Sequence, residues 1–210
     1  MRCLETMIWD VIKQSAADIW DEMLYLMIFN VIWLIGTLLI IPWPFVTFGI
    51  FAVAYDIGQN KGIKFTTFFS HARRVWKQAY IWGGINLGLL IVLLVNINFY
   101  GNIRAQWAEI AQILIIGFTL FWGILQLVAL PIYPRLEEPG FKLAMRNAVV
   151  VMGRYPLATL SLIAVVVVIG VISYFFQIII LLGAFSIITI VANRMVGAII
   201  KRELKRGTEG

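Results

Sequence analysis

The sequence predicts an all-α protein: a polytopic transmembrane helix bundle of about six crossings, with short amphipathic helices at the membrane interface. Of its 210 residues, 61% are hydrophobic and only 13% are charged, whereas about 25% of the residues in a soluble domain are charged. The uncharged residues form runs long enough for bilayer crossings, each of which takes about 20 residues. Basic residues are concentrated between these runs. Residues 1–210 are therefore predicted to form a single membrane domain.

The first element, residues 1–22, is predicted to be an amphipathic helix. It is rich in acidic residues and lacks the apolar core of a cleavable signal peptide. An interfacial helix usually has a basic polar face, so two arrangements remain open. The helix is either solvated and leads into the membrane, or it docks on the basic cytoplasmic loop. Its apolar positions recur at helical spacing, with the acids opposite: Met7, Ile8, Val11, Ile12, Ile19 and Trp20.

Six apolar segments are then predicted to enter the membrane. Tyr155–Asn193 is an uncharged stretch of 39 residues, about 58 Å as one helix, which exceeds a bilayer. We therefore expect it to fold back near Ser173–Gln177. The Pro42-Trp43-Pro44 sequence breaks the first apolar stretch, and the short segment that follows either crosses or is re-entrant; we favour a crossing. The segments are 24–41, 45–57, 80–100, 110–130, 156–174 and 178–200.

The basic residues orient this bundle. If residues 56–79, 131–155 and 194–210 are cytoplasmic together with the N-terminus, every Lys and Arg except Arg104 lies inside, which agrees with the positive-inside rule. If 45–57 does not cross, the N-terminus moves outside, and the rule is still obeyed. We expect the first arrangement, in which both termini are cytoplasmic.

Two further amphipathic helices, 65–79 and 139–154, are predicted on the cytoplasmic side. In the first, aromatic side chains share one side of the helix, and Arg73, Arg74 and Lys77 are placed at the lipid headgroups. We therefore expect this helix to lie along the inner interface with its Phe and Trp side buried.

The sequence contains no catalytic, cofactor or metal motif. Cys3 is the only cysteine and His71 the only histidine, so no zinc or haem ligand set is present. Nucleophile triads, phosphate-binding loops and metalloprotease motifs are also absent. The net charge of +6 is explained by topology rather than by nucleic-acid binding. We predict a protein that is not an enzyme, takes no cofactor and has the lipid bilayer as its first partner.

Two charged residues near the ends of apolar segments are candidates for a functional role. Arg194 lies about 9 Å inside the last segment, counted from Ile200. It either snorkels to the inner interface or faces the bundle interior and pairs with backbone carbonyls, Asp56 or a ligand. Asp56 either serves as a gate or pairs with an Arg of the next loop, or it simply marks the end of its segment.

Several amides lie within the apolar segments. Because an amide in hydrocarbon needs a hydrogen-bond partner, these side chains should face other helices or a cavity. They either form interhelical hydrogen bonds or line a polar path for a sugar. They are Asn30, Asn86, Asn96, Asn98, Gln126 and Gln177.

One stretch carries a distinctive pattern, Pro44-x2-Thr47-x-Gly49-x4-Ala54 followed by Tyr55. Physically, Pro44 would fix a turn, Thr47 would cap the next helix and Gly49 would allow close packing. The pattern resembles the N-terminal signature of the DUF624 family, also called the YesL family. The resemblance extends to Asn30-x2-Trp33, Phe68-Phe69 and Lys77-Gln78-Ala79, and it departs at Ile50, where the family often has proline, and at Val75-Trp76, where it usually has Asn-Phe.

The resemblance implies a protein of the bacterial cytoplasmic (inner) membrane whose biochemical function is not established. Many members are encoded beside carbohydrate ABC-transport genes. It therefore implies a non-enzymatic accessory protein for carbohydrate uptake or utilisation, with carbohydrate ABC-transporter components as partners. The alternative is a small-solute transporter or channel. A dense polar lining that converges on a cavity would favour the transporter, and a filled bundle with an exposed apolar groove would favour the accessory protein.

Overall fold

The computed structural model describes residues 2–136 and 140–208, with side chains from 6 to 136 and from 140 to 205. Residue 1 of the predicted first helix, residue 139 of the predicted third amphipathic helix and residues 209–210 lie outside the described residues. The helices are α1 (Arg2–Asp21), α2 (Met23–Leu38), α3 (Trp43–Gly58), α4 (Phe65–Arg74), α5 (Trp76–Gly101), α6 (Gln106–Ile132), α7 (Phe141–Arg154), α8 (Pro156–Phe175), α9 (Ile178–Leu182) and α10 (Ala184–Thr208), with a 3-10 turn at Tyr133–Arg135 after α6.

The predicted all-α class is confirmed for the described residues. Four helices, α5, α6, α8 and α10, are long and apolar enough to cross a membrane. Helices α1 and α2 meet at 87° and together form a fifth candidate, whereas α3 is a shorter apolar helix. By length and composition, the described chain therefore has four or five candidate spans, fewer than the six crossings predicted.

The segment boundaries follow local backbone chemistry. Helix α2 ends at Leu38 instead of residue 41, because Ile40 adopts φ 62°, a left-handed conformation that a β-branched residue does not adopt within a helix. Pro42 then forms the N-terminal cap of α3. The chain leaves α8 after Phe175, within the predicted fold-back. The predicted segment 178–200 is interrupted at Gly183, between α9 and α10.

The predicted amphipathic helix 65–79 is not continuous. Helix α4 ends at Arg74, Val75 leaves helical geometry (φ −113°, ψ 15°), and α5 begins at Trp76. Phe68 is completely buried, but Trp76 is 49% exposed. The expectation of one continuous helix was therefore wrong, because the chain turns into the long helix α5 after Arg74.

The core is centred on α3, which packs against α2, α4, α5, α6 and α10. Two glycines allow this packing. A Cβ atom at Gly49 would lie 2.9 Å from the Phe68 ring, and one at Gly83 would lie 2.1 Å from the Pro44 ring. Gly49 thus has the close-packing role predicted for it. Pro44 lies in the first turn of α3, where its ring contacts α5.

The outer surfaces of the long helices are apolar. On α8, for example, Leu160, Val167 and Val171 are each more than half exposed. Along α5, no residue after Leu93 is buried. A soluble protein rarely exposes apolar surface on this scale, so these faces suit lipid.

The Pro44–Gly83 contact yields a prediction with a matched control. We expect Gly83→Ala to lower the free energy of unfolding by about 1–3 kcal/mol, because the rigid proline ring cannot yield without a backbone shift. Gly84, the next residue, has open space around its Cβ position. Gly84→Ala should therefore be neutral or stabilising by up to about 1 kcal/mol through helix propensity. Thermal unfolding in detergent measures both, and equal melting temperatures for the two variants would contradict the packing.

Candidate functional site

A carboxamide joins the first apolar helix to the last. Asn30 on α2 is fully buried and donates from Nδ2 to the carbonyls of Ile180 (2.7 Å) and Leu181 (2.9 Å). Its Oδ1 accepts from the backbone amides of Phe185 (3.2 Å) and Ser186 (3.3 Å). One side chain thereby satisfies backbone groups on both sides of the break between α9 and α10, as apolar surroundings require.

One turn further along α2, Trp33 connects the same region to α3. Its ring stacks on Phe185 with centroids 3.7 Å apart, and its Nε1 donates to Thr47 Oγ1 at 3.1 Å. Thr47 itself donates to the Trp43 carbonyl, four residues back, at 2.8 Å. The prediction that Thr47 caps α3 was therefore wrong: the cap is Pro42, and Thr47 lies inside the helix, where it receives the indole of α2.

Arg194 on α10 forms a bidentate ion pair with Asp18 on α1. Its Nε and Nη2 each donate to a carboxylate oxygen at 2.6 Å, the geometry of a strong charge-assisted pair. The two side chains are 15% and 13% exposed. Nη1 also donates to the Gly58 carbonyl at the end of α3, at 3.4 Å. Arg194, in the middle of α10, thus connects this helix to the ends of α1 and α3.

This contact corrects two expectations. Arg194 pairs with Asp18 and not with Asp56, because α1 folds back across α10. The acidic helix also docks on α10 rather than on the basic loop. Val11 packs against Tyr155, Met195 and Ile199, whereas Trp20, predicted on the apolar side, is 79% exposed.

Sequence reasoning missed a second arginine, Arg135. Its Nη1 donates to the Pro131 carbonyl and, at 2.9 Å, to Asn193 Oδ1, and its Nη2 donates to the Asn193 carbonyl at 2.9 Å. The guanidinium carbon lies 4.8 Å from the centre of the Tyr55 ring. Asn193 is fully buried. The available signal was Asn193, an amide beside a charge in an apolar run, which needs a partner on another helix.

Asp56, near the end of α3, pairs with residues that follow α3 in the chain. It is 6% exposed, and its Oδ2 lies 2.7 Å from His71 Nε2 on α4. Lys61 Nζ lies 3.8 Å from Oδ1. The expected Arg partner was therefore wrong for the described residues: the basic side chains beside Asp56 are those of Lys61 and His71, the single histidine of the chain.

The two candidate arginines of α4 point to different surfaces. Arg74 lines a cavity of about 320 Å³ together with Asp56 and His71. Arg73 lies instead beside Phe65 and Phe69, at a separate, mostly apolar concavity. The structure therefore does not bring the two arginines together in one site.

A second cavity of about 320 Å³, which is open to the surface, lies among α2, α3, α5, α6 and α10. The indoles around it donate to polar side chains of the lining: Trp82 to Gln126 Oε1 and Trp122 to Asn86 Oδ1, each at 2.8 Å. These bonds tie helices α5 and α6 together. The lining includes Trp33, Trp43, Thr47, Trp82, Asn86, Leu90, Thr119, Trp122, Gln126 and Phe185.

No group of three His, Cys, Asp or Glu side chains that could hold a metal occurs among the described residues. Comparisons with protein-family models, with curated proteins and with solved structures find no match for this chain.

The Arg194–Asp18 pair predicts a double-mutant cycle. Arg194→Leu and Asp18→Asn should each lower the free energy of unfolding, by up to about 3 kcal/mol, because each leaves a poorly hydrated charge without its partner. The double variant should cost less than the sum of the two. Arg194→Leu combined with Asp56→Asn serves as the control and should be additive. Thermal unfolding in detergent measures six proteins: the parent, the three single variants including Asp56→Asn, and the two double variants. Additivity for the Asp18 pair would contradict the ion pair.

Glu22, between α1 and α2, predicts a pH dependence. Burial, then the charges of Asp21 and Asp18, raise the pKa of its carboxyl. The ionised form is therefore disfavoured in the folded state, and its cost is present above the folded-state pKa and disappears as the pH falls. We expect Glu22→Gln to raise the melting temperature at pH 8 and to have no effect near pH 4. If the difference in melting temperature between the two proteins did not depend on pH, the ionisation of Glu22 would not be its cause.

Proposed function

We propose that this chain is a non-enzymatic integral membrane protein of the bacterial cytoplasmic membrane, with both termini in the cytoplasm. The Arg194 contacts support the orientation. Asp18 precedes α2 and Gly58 ends α3, yet both contact the same guanidinium. Helices α2 and α3 thus form a hairpin that returns to its starting side, which favours a shared side for the N-terminus and the 59–64 loop.

We further propose that this hairpin makes two of six crossings. Each helix has 16 residues, about 24 Å, so the bilayer must thin around it to be crossed. A re-entrant hairpin is the competing arrangement, since Pro44 packs against Gly83 in the second turn of α5. Both arrangements leave the termini on one side, and only the depth of the hairpin tip separates them.

A cysteine scan in Cys3→Ser protein tests this topology. A cysteine at Leu39, in the hairpin tip, should react with an impermeant maleimide added outside whole cells. A cysteine at Gln59 should react only after the membrane is opened. Failure of the Leu39 position to react would reduce the crossings to four and make the hairpin re-entrant. External labelling at Gln59 would overturn the cytoplasmic orientation.

The proposed role is that of an accessory protein for carbohydrate uptake. One observation supports a role other than transport: the buried polar side chains are already hydrogen-bonded. Asn30, Asn86 and Gln126 all bond between helices. The indoles of Trp33, Trp82 and Trp122 likewise donate to neighbouring side chains. Few donors remain for a hydrated solute, and this favours a packed bundle. The carbohydrate connection comes from the family resemblance alone.

The Trp-lined cavity is the surface that we assign to a partner. Its lining is mainly apolar, and Leu90 at its rim is 43% exposed. Such a groove suits an apolar helix of an ABC-transporter component better than a free sugar. A small-solute transporter or channel remains the second candidate, because Asn86, Thr119 and Gln126 line the same cavity.

Site-specific photocrosslinking in native membranes tests the role. A photoreactive residue at Leu90 should give an adduct with a carbohydrate ABC-transporter component. The same residue at Leu160, which is 58% exposed on α8, is the control and should give none. Adducts only with unrelated proteins would contradict the accessory role, and sugar flux through the purified protein in liposomes would establish the transporter instead.

A further inference from the structure

A cavity whose charged lining is mainly basic lies between α1 and α10. Its volume is about 530 Å³, enough for a phosphate group with a small organic substituent. The Arg135–Asn193 pair forms one wall, and the first helix forms the other. Five cations and one carboxylate are among its described lining residues: Arg135, Arg194, Lys201, Arg202, Lys205 and Asp10.

The charge in this cavity is only partly balanced. Asp18 neutralises Arg194. Among the described residues, no carboxylate lies within 4 Å of Arg135 or Arg202. Arg135 is held by carbonyl oxygens, an amide and an aromatic ring, which fix its position without cancelling its charge. A preorganised guanidinium of this kind is well suited to an anion.

One detail indicates that the cavity receives a ligand. The Nη1 atom of Arg202 is buried and has no hydrogen-bond partner, although buried donors are normally satisfied. Gly197 allows the Arg135 guanidinium to lie against α10, since a Cβ atom there would lie only 3.1 Å from Nη2. Arg202 lines the cavity, so a small rotation of its side chain would bring its Nη1 donor to an oxyanion that lies against the positive charge of Arg135.

We propose that this cavity binds a phosphate-bearing anion, either the headgroup of an anionic phospholipid or a small phosphorylated metabolite. Phosphate matches the planar donor fork of arginine. The place of the cavity between the proposed interfacial helix α1 and the charged end of α10 gives access from both the lipid headgroup layer and the cytoplasm. The site needs no catalytic step and is independent of the proposed accessory role.

Thermal-shift titrations of the full-length protein in detergent, at constant ionic strength, test the proposal. The probes are dioctanoyl phosphatidylglycerol, glycerol 3-phosphate and, as a zwitterionic control, dioctanoyl phosphatidylcholine. At least one of the two anions should raise the melting temperature saturably, and phosphatidylcholine should not. A response to the lipid alone identifies a headgroup site, and a response to glycerol 3-phosphate identifies a metabolite site. No saturable response to either anion overturns the proposal.

Matched variants locate the binding. Arg202→Gln should weaken it about tenfold, the loss of one charge-assisted hydrogen bond. Arg146→Gln makes the same charge change on the exposed side of α7 and should change the Kd by less than about twofold. Gly197→Ala keeps every charge but displaces Arg135 and should also weaken binding. Equal losses in the Arg202 and Arg146 variants would indicate general electrostatics and overturn the assigned site.

Discussion

The four hydrogen bonds of Asn30 are the constraint on which the rest of the bundle depends. The break at Gly183 separates α9 from α10, and in an apolar environment each unpaired backbone group there would cost several kcal/mol. Because Asn30 supplies both donors and an acceptor, the break is compatible with burial. The bonds of Asn30 also fix the position of Phe185. The stacking of Trp33 on Phe185, and the hydrogen bond from Trp33 to Thr47, depend on that position.

Arg135, in the 3-10 turn after α6, and Arg194 on α10 organise the opposite end. Arg194 selects one position for α1, and Arg135 selects one register for the end of α6 against α10 through Asn193. Half-buried charges of this kind add little net stability, because their desolvation offsets most of the attraction. They disfavour alternative packings instead, since any shift of α1 leaves Asp18 and Arg194 without partners.

The extent to which the sequence predicted these features depended on the kind of signal. Hydropathy and the double proline located the long apolar helices, because a membrane crossing demands a run of apolar residues, but they did not predict the break between α9 and α10. The role of Gly49 followed from its lack of a side chain. The partner of Arg194 was missed, because which helix folds across α10 is a tertiary choice that no local pattern encodes. Arg135 was missed for a related reason. It lies in a basic loop, where its charge was interpreted as a topology signal, and only the tertiary fold brings it into contact with Asn193.

The contact between α1 and α10 has a consequence for biosynthesis. Asp18 and Arg194 are separated by 176 positions, so the first helix leaves the ribosome long before its partner exists. Until α10 is made, Val11 and Asp18 on the inner side of α1 remain uncovered. The N-terminal helix therefore reaches its final packing only after most of the chain has been made. A chain that stalls before residue 184 would display that uncovered helix to the quality-control proteases of the cell.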